Sequence, residues 1–116
     1  MGNSAHVIEV REEGAYPASS AAFIRCAEEG GTRGVLRGVD LALRLGHTKV
    51  VVDLGAREAA DADLLSVLHR SGQRVRDAGG RLALVCADSR LRRLFDVTLL
   101  SRTLPVYETK EEALGG

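Results

Sequence analysis

The 116-residue chain is poor in aromatics, with two Tyr, two Phe and no Trp. Surfaces that stack single-stranded nucleic acid need exposed rings, so that class of partner is disfavoured. The core has to be assembled from aliphatic side chains instead. Net charge is also missing: 16 Lys plus Arg balance 16 Asp plus Glu. A neutral chain has no overall field to collect nucleic acid or an anionic membrane. No stretch reaches the roughly 18 apolar residues needed to cross a bilayer. The opening MGNSAHVIEVREEG lacks the basic segment and apolar run of a secretory signal. His6 stands where a myristoylation pattern requires Ser or Thr.

Chemistry-bearing motifs are equally scarce. The two cysteines, Cys26 and Cys86, form no CxxC spacing. They lie in the apolar runs AAFIRCA and LALVCA, where a thiol packs as a small hydrophobe, so both are expected to be buried, reduced and poorly reactive. Unpaired thiols fit a reducing cytoplasm. His6, His47 and His69 are far apart, and none has a ligand-type partner three or four residues on, so no metal site is expected. His69 is expected on a solvated helix flank. There is no GxxxxGK[ST] phosphate loop and no GxSxG nucleophile elbow, and Gly30, Gly31 and Gly34 do not make GxGxxG. No catalytic residue and no cofactor is expected.

What the chain does contain is an alternation of short apolar strands and amphipathic helices. HVIEVR, His6 to Arg11, has the two-residue period of a half-buried strand, and Glu12-Glu13-Gly14 reads as a turn. Ala21 to Cys26 gives a second strand, and Glu28 to Gly31 breaks the pattern. Thr32 opens a helix to about Leu45, with Gly46 at its end. Gly34 and Gly38 inside it each cost on the order of 1 kcal/mol relative to Ala. KVVVDL (49–54) and RLALVC (81–86) are continuous apolar runs, as central parallel strands covered on both faces are. Between them lies a helix over 62–78, stopped by Gly79-Gly80. A third helix begins at Asp88 or Ser89 and carries Leu91, Leu94 and Phe95. LPVY (104–107) reads as a short edge strand, because Pro105 lacks a ladder donor. Thr109 and Glu112 have the spacing of a capping box before a terminal helix. The layout is α/β in one domain over 1–116: leading strands in 1–31, then alternating helix and strand in 32–116.

The segment VVVDLGAREAADADLLSVL (50–68) concentrates the signal. A buried strand ends at Leu54, six residues of loop follow, and Asp61-Ala62-Asp63 opens a helix. Amides at a helix start are unpaired and partly positive, so Asp61 or Asp63 can cap or neutralise them.

This segment resembles the centre of the STAS domain as found in bacterial anti-sigma-factor antagonists. Those proteins read as a Val-rich strand ending in Asp-Leu, then Ser-Gly-Val-x-Phe-Ile-Asp-Ser-Ser-Gly-Leu and a helix. Asp53-Leu54, the loop length, Asp61, Leu65, Val67 and Leu68 keep that pattern. Downstream, Ala78-Gly79-Gly80-Arg81-Leu82, Leu91 to Leu94, Leu104-Pro105-Val106-Tyr107 and Glu111-Glu112-Ala113-Leu114 also follow in order. The usual Gly-x-Leu/Ile-Asp after the second strand is missing, with Glu28-Glu29-Gly30-Gly31 near its place.

The resemblance implies a mixed central sheet of four to five strands with about four helices. It also implies an interaction module without activity of its own, whose partner is an anti-sigma factor of the protein-kinase type or a related regulator. In the family that kinase phosphorylates the second Ser of Asp-Ser-Ser-Gly. Here Asp61 keeps the Asp, Ala62 replaces the first Ser, Asp63 the phosphorylated Ser and Leu64 the Gly, while Leu99 replaces a further frequent Gly. The acceptor hydroxyl is gone. Asp63 brings one charge and two oxygens where phosphoserine brings about −1.5 to −2 charges and three. Ser66 is the nearest hydroxyl, about one turn into the helix. The expected partner surface is Asp61, Ala62, Asp63, Leu64 and Leu65, with Leu64 either an exposed anchor or part of the core stripe. The resemblance leaves open a cytosolic STAS subunit of a membrane transport assembly, and a dimer. No nucleic acid and no membrane insertion are expected.

Overall fold

The computed structural model describes residues 10–13, 21–26, 32–55, 60–98 and 104–115. Their order is β1 (Val10–Glu13), β2 (Ala21–Arg25), α1 (Thr32–Arg44), β3 (Lys49–Asp53), α2 (Ala62–Asp77), β4 (Arg81–Val85), α3 (Ser89–Val97), β5 (Val106–Tyr107) and α4 (Lys110–Gly115). The strands form one sheet in the order β1-β2-β3-β4-β5. β1 runs antiparallel to β2, and β2 to β5 are mutually parallel.

KVVVDL and RLALVC are adjacent parallel strands, as their patterning predicts, with Val50 opposite Leu82 and Val52 opposite Leu84. Both faces of this pair are covered. Val50, Val52, Leu82 and Leu84 join Val35 and Val39 of α1, Leu64 and Leu68 of α2, and Leu91 and Phe95 of α3 in the main core. Alternate residues Val51, Ala83 and Val85 pack with Ala21, Phe23 and Ala113 of α4 on the other face. A strand buried on both sides cannot show polar alternation, which is why these two read as unbroken apolar runs.

The leading strands differ in part from expectation. Glu12 and Glu13 are not a turn: they extend β1, opposite Ala22 and Ala21. An edge strand tolerates charged residues, so their polarity does not end it. Residues 6–9 of the expected first strand, Gly14, the 28–31 break and Leu99 lie outside the described residues.

Helix ends follow local chemistry. α2 stops where Ala78 caps it, and Gly79 takes φ +85°. The Gly80 amide donates to Val75 O at 2.9 Å and the Gly79 amide to Arg76 O at 2.9 Å, a Schellman closure of the last turn. Gly80 then passes so close to Thr48 that a Cβ there would collide with the Thr48 carbonyl. In α1, Gly38 has a packing reason that offsets its propensity cost: a Cβ would sit 3.1 Å from Ile24 Cδ1 of β2. The capping box at α4 forms, with the Glu112 amide donating to Thr109 Oγ1 at 3.2 Å and the Thr109 amide to Glu112 Oε1 at 3.3 Å. α4 is fixed further by Lys49 Nζ, which donates to Leu114 O at 2.6 Å, and by Lys110, whose Nζ lies 4.9 Å from the Phe23 ring centre.

Candidate functional site

The candidate site lies at the carboxyl ends of β3 and β4, where the chain enters α2 and α3. β3 exits through Asp53, whose Oδ1 accepts the Gly55 amide at 2.8 Å. The Leu54 amide donates to Val85 O at 2.8 Å and the Ala87 amide to Gly55 O at 3.2 Å, so the two strand exits are tied together. Arg92 of α3 reinforces the tie. Its Nη1 donates to Cys86 O at 2.8 Å and to Ala87 O at 3.0 Å. Nothing in the spacing around Leu91–Leu94 singles out this arginine, because its two acceptors are backbone carbonyls.

The start of α2 separates two acids that look alike in sequence. Asp61 is the N-cap, with extended backbone (φ −93°, ψ 178°), and its Oδ1 accepts the Leu64 amide at 2.8 Å. Asp63 lies in the first turn, exposed to solvent. Among the described residues no hydrogen bond or ion pair engages it. Capping is therefore done by Asp61, and the Asp63 carboxylate is left facing outward at the positive end of a 16-residue helix.

Of the five residues expected on a partner surface, Asp61, Ala62 and Asp63 are exposed and Leu65 is half-buried. Leu64 is not on the surface at all: it is fully buried in the main core. It lies on the same helix stripe as Leu68, whose side chain packs in the same core, so its apolar bulk anchors the helix start rather than a partner. Ser66 is exposed one turn further along.

Cys86, at the exit of β4, is buried with no solvent contact. Burial pushes its thiol pKa up, opposed by the backbone of Asp88 and by the nearby Arg92, while its Sγ lies 3.6 Å from Asp88 O as donor. Cys26 is buried too, and neither cysteine is in a disulfide. His69 is exposed on α2, whereas His47 is buried. Among the described residues no group of three or more His, Cys, Asp or Glu gathers as a metal site would. No helix among them is long and apolar enough to cross a membrane.

The STAS domain profile matches residues 7–113, which include every strand and nearly all of the helices just described. The chain belongs to the STAS domain family. A Thermotoga neapolitana relative, named as an anti-sigma factor antagonist homologue, is 33% identical over 75 residues. That match takes in 65% of this chain and 66% of the relative, just under two thirds of its length. The crystal structure of an anti-sigma factor antagonist from Thermotoga maritima superposes with TM-score 0.71 at 21% identity, covering 91% of this chain and 92% of that one. The Bacillus cell fate determinant SpoIIAA in its phosphorylated form superposes with TM-score 0.63 at 15% identity, covering 92% and 97%. At those identities the two structures establish the shared STAS fold.

Proposed function

We propose that this STAS domain is a non-catalytic interaction module of the anti-sigma-factor-antagonist kind. It binds an anti-sigma factor of the protein-kinase type, or a related regulator, through the exposed start of α2. Asp61, Ala62 and Asp63, with the half-buried Leu65 beside them, present that surface, and Leu64 holds it from below. The compartment is the cytoplasm, and the partner is a protein rather than nucleic acid or a bilayer.

One observation carries the reading: the exposed Asp63 carboxylate takes no part in capping, because Asp61 already satisfies the Leu64 amide. Asp63 matches the position phosphorylated in the family, so a permanent charge replaces a switchable one. Two of the three other switch positions, Ala62 and Leu64, have also changed. This favours a partner adapted to Asp63 over a frozen imitation of the phosphorylated state.

The test begins with a pull-down from the native host and continues with titration of wild type, Asp63→Ser and Asp63→Ala against the protein captured. A partner adapted to Asp63 loses a charge-assisted contact in both variants, on the order of 1.5–3 kcal/mol, or about ten- to a hundredfold in Kd. Tighter binding by both variants identifies Asp63 as a mimic of the modified state. Equal affinity for all three proteins removes Asp63 from the interface and overturns the proposal.

A further inference from the structure

The outward face of α1 keeps apolar surface that the core does not use. Val35, Val39 and Ala42 of this helix are in the main core, and Leu36 and Leu43 pack against it. Leu41 and Leu45 do neither: they are 45% and 55% exposed. The Leu45 amide donates to Leu41 O at 3.0 Å, so Leu45 continues the helical ladder and stands one turn beyond Leu41 on the same side. Arg37 precedes Leu41 by one turn and Arg44 follows it by three residues, so both exposed arginines edge the leucines. On the neighbouring helix, Arg70 lies one turn before Arg74, which bridges to Asp40 of α1. Arg70 is thus on the side of α2 that faces α1, and it too is exposed. Among the described residues no hydrogen bond or ion pair engages Arg37, Arg44 or Arg70. The carboxylates on this side are Asp40, taken by Arg74, and Asp77, three residues after Arg74. Four arginines against two carboxylates leave the surface positive.

A single exposed leucine needs no explanation, but two stacked leucines edged by unpaired guanidiniums form a patch with a charge preference. Arginine is enriched where protein surfaces meet, and its planar fork matches carboxylates. A second copy of the chain fits this patch poorly. A two-fold contact centred on Leu41 sets the arginines of one copy against those of the other, and like charges repel. A lipid surface fits poorly too, since two leucines supply little of the apolar area that holds a helix in a membrane interface. We infer that the Leu41–Leu45 face of α1 docks an acidic amphipathic helix of a partner protein. Apolar side chains of that helix meet Leu41 and Leu45, and its carboxylates meet Arg37, Arg44 and Arg70. The surface lies beside Arg74, about 16 Å along α2 from Asp63, so this inference is independent of the partner assigned to the start of α2.

The experiment uses the full chain and a designed helical peptide of about 15 residues, with leucines one turn apart flanked by glutamates. Two control peptides change every Glu to Gln or every Leu to Ala. Calorimetry should give the acidic peptide a Kd on the order of 0.1 mM, weakening as salt is raised. Amide NMR shifts should be confined to 37–46 and the neighbourhood of Arg70. Leu41→Gln and Leu45→Gln each weaken binding about fivefold or more. Arg37→Gln and Arg44→Gln each weaken it about threefold and flatten its salt dependence, whereas Arg90→Gln, on α3, leaves it unchanged. All five side chains are exposed, so the variants should keep the wild-type spectrum outside the patch. Several results overturn the inference. One is no binding of the acidic peptide, and another is equal binding of the Gln or the Ala control, which removes the charged or the apolar half. Binding to phosphatidylglycerol vesicles where the peptide fails would assign the face to a bilayer. A dimer in sedimentation that Leu41→Gln dissolves would assign it to a second copy.

Discussion

Replacing Asp61 by alanine separates the cap of α2 from its electrostatics. In the wild type, Asp61 Oδ1 accepts the Leu64 amide at 2.8 Å, and this bond lies partly out of solvent beside a fully buried side chain. Asp61→Ala leaves that amide without its acceptor and removes a charge from the positive end of the helix. The hydrogen bond accounts for about 1 kcal/mol, and the charge for about 0.3–1 kcal/mol more at low salt. Asp61→Asn keeps an acceptor oxygen in the same place and loses only the charge. Thermal unfolding followed by circular dichroism should therefore rank wild type above Asn and Asn above Ala. The total drop for Ala is near 1.5 kcal/mol, or roughly 6 °C in a chain of this size. In 0.5 M salt the gap between wild type and Asn should shrink, because screening removes the charge contribution, while the gap between Asn and Ala should persist. An Asn variant as unstable as Ala, or a gap between them that closes with salt, would refute the assignment of Asp61 as a hydrogen-bonding cap.

Two further outcomes follow from packing and burial. Gly80→Ala drives a Cβ into the Thr48 carbonyl, where backbone rather than a flexible side chain must yield; chemical denaturation should show a loss of about 2 kcal/mol or more, with the slope unchanged. Cys86, buried and with its thiol pKa raised, should react slowly with a polar disulfide reagent at neutral pH. Above the ordinary thiol range, about pH 8.5, the unfolded chain releases that proton first while the folded chain keeps it. Stability should therefore fall as pH rises there, and Cys86→Ala should flatten that fall when urea midpoints are measured across the alkaline range.

The parallel β3–β4 pair was legible in the sequence because each strand is an unbroken aliphatic run bounded by polar residues and glycine. The Thr109–Glu112 box was legible because it is a local hydrogen-bond motif with fixed spacing, whereas the cap of α2 stayed open between Asp61 and Asp63 until the helix start was known. Glu12 and Glu13 were misread as a turn: strand pairing is decided by the partner, here Ala21 and Ala22, and not by the polarity of the pair itself. Leu64 was open between surface and core, since one residue of helical phase decides it and the helix start was the unknown. The Arg92 tie was invisible, because it acts on backbone carbonyls, which carry no sequence signature. The Ser71 hydroxyl, buried without a partner among the described residues, likewise has no signature in the sequence.

The hold on α4 has a practical consequence for interaction work. The chain contains two lysines, Lys49 and Lys110, and both are occupied in fastening α4, one to a backbone carbonyl and one against the Phe23 ring. Side-chain amine chemistry, whether cross-linking, biotinylation or coupling to a sensor surface, has no target on the acidic start of α2 and strikes instead at these fastenings. An amine-coupled preparation is thus loosened at its terminal helix, while the proposed binding surface goes unlabelled. Coupling through an appended tag keeps α4 in place.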